Sequence, residues 1–183
     1  MGSNPYPPID RWLLPQTAVA ATLASVVGAG RRGDEAGVFW LGERAATTQI
    51  SAVVSLRGRG VIESPGRWQV SSAVYGVVSR LARPHGLTLL ATAHTHGRGV
   101  PVAMSITDRL DGVRVPDFLA VVIGDGGAVR DPADWSFNVF DGRDFGELAD
   151  DDFAARVEFV DGGVTLWRAN ADGVSAWSGR EDE

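Results

Sequence analysis

The chain contains no cysteine and no lysine. The first absence excludes disulfides, cysteine-ligated zinc and a thiol nucleophile together. The second leaves all 17 basic residues as arginine. With no Gly-x-x-x-x-Gly-Lys-Ser/Thr loop present either, nucleotide chemistry has no support. Nor does any apolar run approach a transmembrane span: Thr17 to Val27 is apolar but short, and no cleavable signal organisation precedes it. A cysteine-free chain without such segments points to the cytoplasm and away from membranes. Excess positive charge is missing too. A formal net charge of −6 argues against nucleic acid as a partner, because phosphate binding needs a concentrated basic surface.

What remains is 183 residues with 44% hydrophobic content, long enough for one well-cored domain and too short for two. The expected organisation is an extended, proline-rich lead-in over 1–16, one domain over 17–177 and a polar tail over 178–183. Thr17 to Val27 reads as a helix stopped by Gly28 and Gly30. Strands are expected over Gly37 to Gly42 and Gln49 to Arg57, then a helix over Arg67 to Ala82, where Val70, Val74, Val77, Val78 and Leu81 recur at helical spacing. Further strands are expected over Asp117 to Ile123, Trp135 to Phe140, Arg156 to Val160, Val164 to Ala169 and Val174 to Trp177, several joined by Asp-Gly turns. Consecutive strands near both ends argue for an α+β fold rather than a doubly wound one. Arg31, Arg32, Arg57, Arg59 and Arg67 collect in the first half, and Asp141 to Asp152 is dense in acid. Such runs are solvated faces or, more sharply read, a docking surface for a partner protein.

The informative stretch is Ala93-His94-Thr95-His96-Gly97, followed by Ser105-Ile106-Thr107-Asp108. The apolar run Gly86 to Thr92 places the histidines at the end of a strand, where residues i and i+2 share a face. His94 and His96 can then meet one ion while Thr95 points away. Asp108 can fold back over a Gly/Pro-bearing loop as third ligand. Two histidines and one acid leave a fourth tetrahedral position open, the arrangement of catalytic zinc. Against this stand plainer readings: a surface histidine pair, and a helix N-cap for Ser-x-x-Asp. His85, in Arg83-Pro84-His85-Gly86, reads as solvent-exposed. There is no His-Glu-x-x-His, and a Ser-His-Asp hydrolase would lack its Gly-x-Ser-x-Gly elbow. Trp40 and Trp68 carry no assignable chemistry.

The His-x-His, gap, Ser-x-x-Asp pattern resembles the JAMM motif of the JAB/MPN metalloprotease family. Its upstream half is similar as well: Glu35 is followed by small and apolar residues, then Gly42. The resemblance spans about Thr17 to Val160. There are two departures. Eight residues separate His96 from Ser105 where the family usually has seven, and Gly97 stands where many members have proline. The resemblance implies a central mixed β-sheet flanked by helices, in an MPN/cytidine-deaminase-like architecture, and a compact bacterial-type member. It implies one Zn²⁺ per chain on His94, His96 and Asp108, with Glu35 as general acid/base and Ser105 donating to the oxyanion. It implies cleavage of amide or isopeptide bonds after the tail of a ubiquitin-like protein, with E1-like and E2-like proteins as possible companions. The alternatives are a peptidase acting on a sulfur-carrier protein adduct, or a non-catalytic binding module in a ubiquitin-like system.

Overall fold

The computed structural model describes residues 6–180. Asn4 and Pro5 of the lead-in and the last three residues of the polar tail lie outside the described residues. The extended start is not idle. Arg11–Pro15 forms strand β1, which pairs in parallel with β3 (Thr47–Gln49) on one side and β11 (Val157–Val160) on the other. Its Trp12 and Leu14 are buried. Pro15 then opens helix α1, Gln16–Arg32.

That helix runs past both glycines expected to stop it. It ends at Gly33, whose φ of 86° is the left-handed conformation of a C-cap. Gly30 serves a different need: a Cβ there would lie 1.8 Å from the carbonyl oxygen of Gly126. The missing side chain lets two backbones touch.

The main sheet has eight strands in the order β10-β9-β8-β7-β2-β4-β12-β13. These are β2 (Gly37–Gly42), β4 (Ala52–Leu56), β7 (Thr88–Thr95), β8 (Leu119–Ile123), β9 (Ser136–Phe140), β10 (Phe145–Glu147), β12 (Thr165–Asn170) and β13 (Gly173–Ala176). The β7/β8 and β4/β12 pairs are parallel and the others antiparallel, so the sheet is mixed. Both faces are covered, which is why β2 and β8 read as unbroken apolar runs and β4 is interrupted only by Ser55, whose buried hydroxyl pairs with that of Ser25 at 2.7 Å. Val38, Trp40, Val53, Ala93 and Val121 pack toward α1 and β1. Phe39, Leu41, Val54 and Leu56 pack the other way, against Val74 and Val78 of helix α2 (Ser72–Ala82). On that second face, Ala120 and Val122 meet Met104, Phe118, Phe140 and Phe145. This is the α+β class expected, a central mixed sheet flanked by helices. Among the described residues no helix is long and apolar enough to cross a membrane.

The expected helix over Arg67 to Ala82 is only partly helix. Its first four residues are strand β6 (Arg67–Val70), paired with β5 (Val61–Ser64) in a hairpin. Pro65 and Gly66, the latter at φ 66°, make the two-residue turn. Val70 happens to stand at helical spacing from Val74, yet pairs with Val61. The acid-rich stretch also holds more structure than a solvated run: it contains β10 and the first turn of a short helix α4, Asp150–Arg156. Three aspartates fill the first turn of α4, where negative charge suits the helix dipole.

Candidate metal centre

Antiparallel pairing of β2 with β7 sets the centre. Gly37 lies opposite His94, and Thr95 N–H donates to Ala36 O at 2.8 Å. Continuing that register brings Glu35, one residue before Ala36, beside His96. Thr95 faces the α1 side, where its hydroxyl accepts the Ala36 N–H at 3.0 Å. His94 and His96 therefore share the opposite face. Both are buried, at 5% and 4% exposure, and Glu35 is buried with them at 7%. The end of β7 is tied down further. His96 N–H donates to Ile123 O, and His96 O accepts from Gly126 N–H, the residue pressed against α1 at Gly30.

Asp108 arrives from the far side of the 97–104 loop. It sits at the third position of helix α3, Ile106–Asp111. Ser105 is the N-cap: its Oγ accepts Asp108 N–H at 3.1 Å, and Asp108 Oδ2 accepts Ser105 N–H at 2.7 Å. This reciprocal capping box points the carboxylate back at the strand. Oδ2 lies 3.1 Å from His96 Nε2, and Oδ1 lies 3.3 Å from His94 Nε2. The ligand atoms of His94, His96 and Asp108 all fall within 4.8 Å of one another. The eight-residue loop thus does not carry Asp108 out of reach. It also supplies Pro101 O, which accepts from His96 Nδ1 at 3.1 Å.

The two acids are tuned in opposite directions. Burial pushes the Glu35 carboxyl above its ordinary value, against the pull of both histidines and the Gly97 N–H. Burial would raise Asp108 too, but His94, His96 and the Ser105 side chain outweigh it and hold that carboxyl well below the usual range. Burial works to lower His96, and its contacts with Asp108 and Pro101 reverse the sign, so it is raised.

The donors suit a cation. His94 Nε2 and Nδ1 are buried without hydrogen-bond partners, and two imidazoles converge on one carboxylate. A buried ring nitrogen left unpaired costs free energy, which an ion at the centre of the three groups would recover. The group of His94, His96 and Asp108 could hold a metal ion.

An open cleft of about 500 Å³ is lined by Glu35, His96, Ser105 and Asp108, with Trp68 and Val100 on its walls. Ser105 is exposed there. A smaller cavity of about 220 Å³ opens beside His94, between Tyr75, Met104 and Ala120. The sequence reading missed Trp68, whose indole stacks on His94 with centroids 5.6 Å apart and planes 11° from parallel. The signal was available: two four-residue runs around Pro65-Gly66 are a hairpin pattern. Trp40 is a core anchor, donating from Nε1 to Thr22 Oγ1 at 2.9 Å. His85 is exposed, as expected, with its ring near Trp167.

No family model and no curated protein matches this sequence. Solved structures do. Protein DSY2949 from Desulfitobacterium hafniense superposes with a TM-score of 0.62 at 16% identity, over 82% of this chain and 94% of that one. That likeness shows a shared fold. AF2198 from Archaeoglobus fulgidus, a JAB1/MPN domain protein, superposes at 0.44 and 12% identity, over 82% of this chain and 98% of that one. A superposition that loose carries no weight for activity.

Proposed function

We propose that the chain is a zinc-dependent peptidase or isopeptidase of JAB/MPN type, cleaving the amide bond after the C-terminal tail of a ubiquitin-like protein. One observation carries the reading: two buried histidines and a half-buried aspartate share an open cleft with a buried glutamate and the hydroxyl of an exposed serine. Two imidazoles and a carboxylate match the donors that catalytic zinc takes with one position left open. When bound there, zinc would supply Lewis acidity that makes water a competent nucleophile at neutral pH. Glu35 is suited to take the water's proton and pass it to the departing amine, because burial raises its affinity for that proton. Ser105 Oγ spends a lone pair on Asp108 N–H and keeps its own proton, which it can donate to the carbonyl oxygen as charge develops.

The cleft suits an extended, narrow substrate. A flexible tail is held most simply as an added strand, with glycine favoured next to the scissile bond, where a Cβ would crowd the metal. Of the apolar residues in the 97–104 loop, Val100 lines this cleft, whereas Met104 is turned into the cluster with Phe118 and Phe140. E1-like or E2-like proteins of the same system would be the companions.

The test uses protein purified without chelator and a ubiquitin-like protein carrying a C-terminal amide adduct. We expect close to one zinc per chain, release of the adduct, and slower release when the tail's Gly-Gly becomes Ala-Ala. Glu35→Ala should abolish release with zinc retained. Zinc below about a tenth of an equivalent, with none taken up on titration, would sink the catalytic-zinc reading. Tight binding of the ubiquitin-like protein without zinc or cleavage would instead select a binding module. Cleavage confined to a short peptide adduct would select the sulfur-carrier alternative.

A further inference from the structure

His94 and His96 are held in different ways, and the difference gives Trp68 a role. A metal-binding histidine ordinarily donates its second ring N–H to a carboxylate or carbonyl, which sets the ring's angle. His96 has that partner in Pro101 O. His94 has no such partner: its Nε2 faces Asp108 at 3.3 Å, and its Nδ1 is buried without a hydrogen bond. Its ring lies instead against the face of the Trp68 indole, at 5.6 Å and 11°.

The indole reaches His94 through space that β2 leaves open. A Cβ on Gly37 would lie 2.7 Å from both Cε2 and Cζ2 of the ring. Phe39, two residues along the same strand, meets the indole at 78° with centroids 6.3 Å apart. Trp68 is not anchored by its own polar handle, since Nε1 is buried without an acceptor. The ring is therefore located by shape alone, between a missing side chain, an aromatic neighbour and the imidazole.

We propose that Trp68 is the positioning residue for His94. Stacking fixes the imidazole plane in place of the usual hydrogen bond and keeps Nε2 turned toward Asp108. This rests on the metal-site reading above, and its test is arranged to fail separately from that reading.

The first measurement is made on the native chain without metal. The His94 ring protons should appear upfield in the NMR spectrum, shifted by the indole ring current. Trp68→Phe should keep part of that shift and Trp68→Leu should lose it. The second is zinc affinity by competition with a chromophoric chelator. We expect Trp68→Leu to bind about 10–100-fold more weakly, the usual cost of losing an outer partner of a metal ligand, and Trp68→Phe to recover part of the loss. If Trp68 only packs the hairpin, Leu and Phe will lower the melting temperature alike and leave zinc affinity within about twofold of native, which overturns the proposal. Unshifted His94 ring protons in the native chain overturn it as well. That measurement needs no variant, so a Leu chain that fails to fold does not block it. Native protein that shows the shift but takes up no zinc sinks the metal reading and leaves the stack in place.

Discussion

The two halves of the centre are built to different standards. Glu35, His94 and His96 sit on or beside paired strands, all below 10% exposure: His94 lies in the ladder between β2, β7 and β8, His96 N–H donates to Ile123 O, and Glu35 N–H donates to Ser64 O. Asp108 and Ser105 sit on a six-residue helix that has no buried residue. Ile106 and Leu110 on that helix are 78% and 66% exposed. What holds it is its capping box and Arg109, which donates to Phe145 O and lies beside Asp144. The strand half is positioned by the fold. The helix half is positioned by a few hydrogen bonds, one of which uses the same carboxylate oxygen that faces His96. A site made this way has a rigid wall and an adjustable one.

The comparison breaks most sharply at His96. We expect His96→Ala to lose both zinc and turnover, because no other group in the cleft can replace a buried nitrogen. Metal analysis showing close to a full equivalent in that variant would mean the rigid wall is not the ligand wall. Glu35→Gln should leave zinc in place and lower turnover by about 10²–10⁴-fold, the usual contribution of a general acid/base.

The same glutamine variant sharpens the contrast through pH. Glu35 has a folded pKa raised above 4.5, so just above that value the folded chain holds more protons than the unfolded one. Stability then falls as pH rises through the window between the two. Metal-free Glu35→Gln should therefore melt a little higher than native at neutral pH. Asp108 runs the other way. Its folded pKa lies below 3.8, so its contribution is present above that value and is lost as pH falls through the folded pKa. Asp108→Asn should flatten the acid side of the stability profile, measured by thermal melts of metal-free protein. Parallel slopes in both variants would show that the two acids are not tuned apart.

Ser105 tests whether the adjustable wall does chemistry or only holds shape. Asparagine is as good a cap as serine but cannot place a hydroxyl, whereas alanine removes both at a cost of about 1 kcal/mol. We expect alanine to lose about 10²–10³-fold in turnover, with only alanine losing stability. Full activity in Ser105→Ala would confine Ser105 to capping, because alanine leaves no side-chain donor whereas the asparagine amide can itself donate to the oxyanion. The smallest effect concerns motion. Amides of α3 should exchange with solvent faster than those of β7 in metal-free protein, and zinc should slow them while leaving β7 unchanged. Equal protection without metal would erase the distinction between the walls.

The contrast also explains what could be read in the sequence. The strand-borne residues were legible because their cause is local: alternation at the end of an apolar run puts His94 and His96 on one face, and β2 matches its expected bounds, Gly37–Gly42. The Ser-x-x-Asp cap was legible for the same reason. Features created by contacts between distant segments were not. Gly30 looks like a helix stop until Gly126 is seen against it. β1 looks like a lead-in until Trp12 pairs with Val157. Trp68 looks like one face of a helix until Pro65-Gly66 folds it into a hairpin over His94.

The gap at Gly37 has a consequence for sequences as well as for this molecule. It is a hole with the outline of an indole, and only the two positions together make sense of it. In chains built on this sheet, a residue larger than glycine at the position of Gly37 should not occur with a tryptophan at the position of Trp68. Where the aromatic is lost, the histidine should regain a hydrogen-bonding neighbour. Paired substitution at these two sites, 31 positions apart in the chain, would let the stack be recognised in sequences alone, before any coordinates are known.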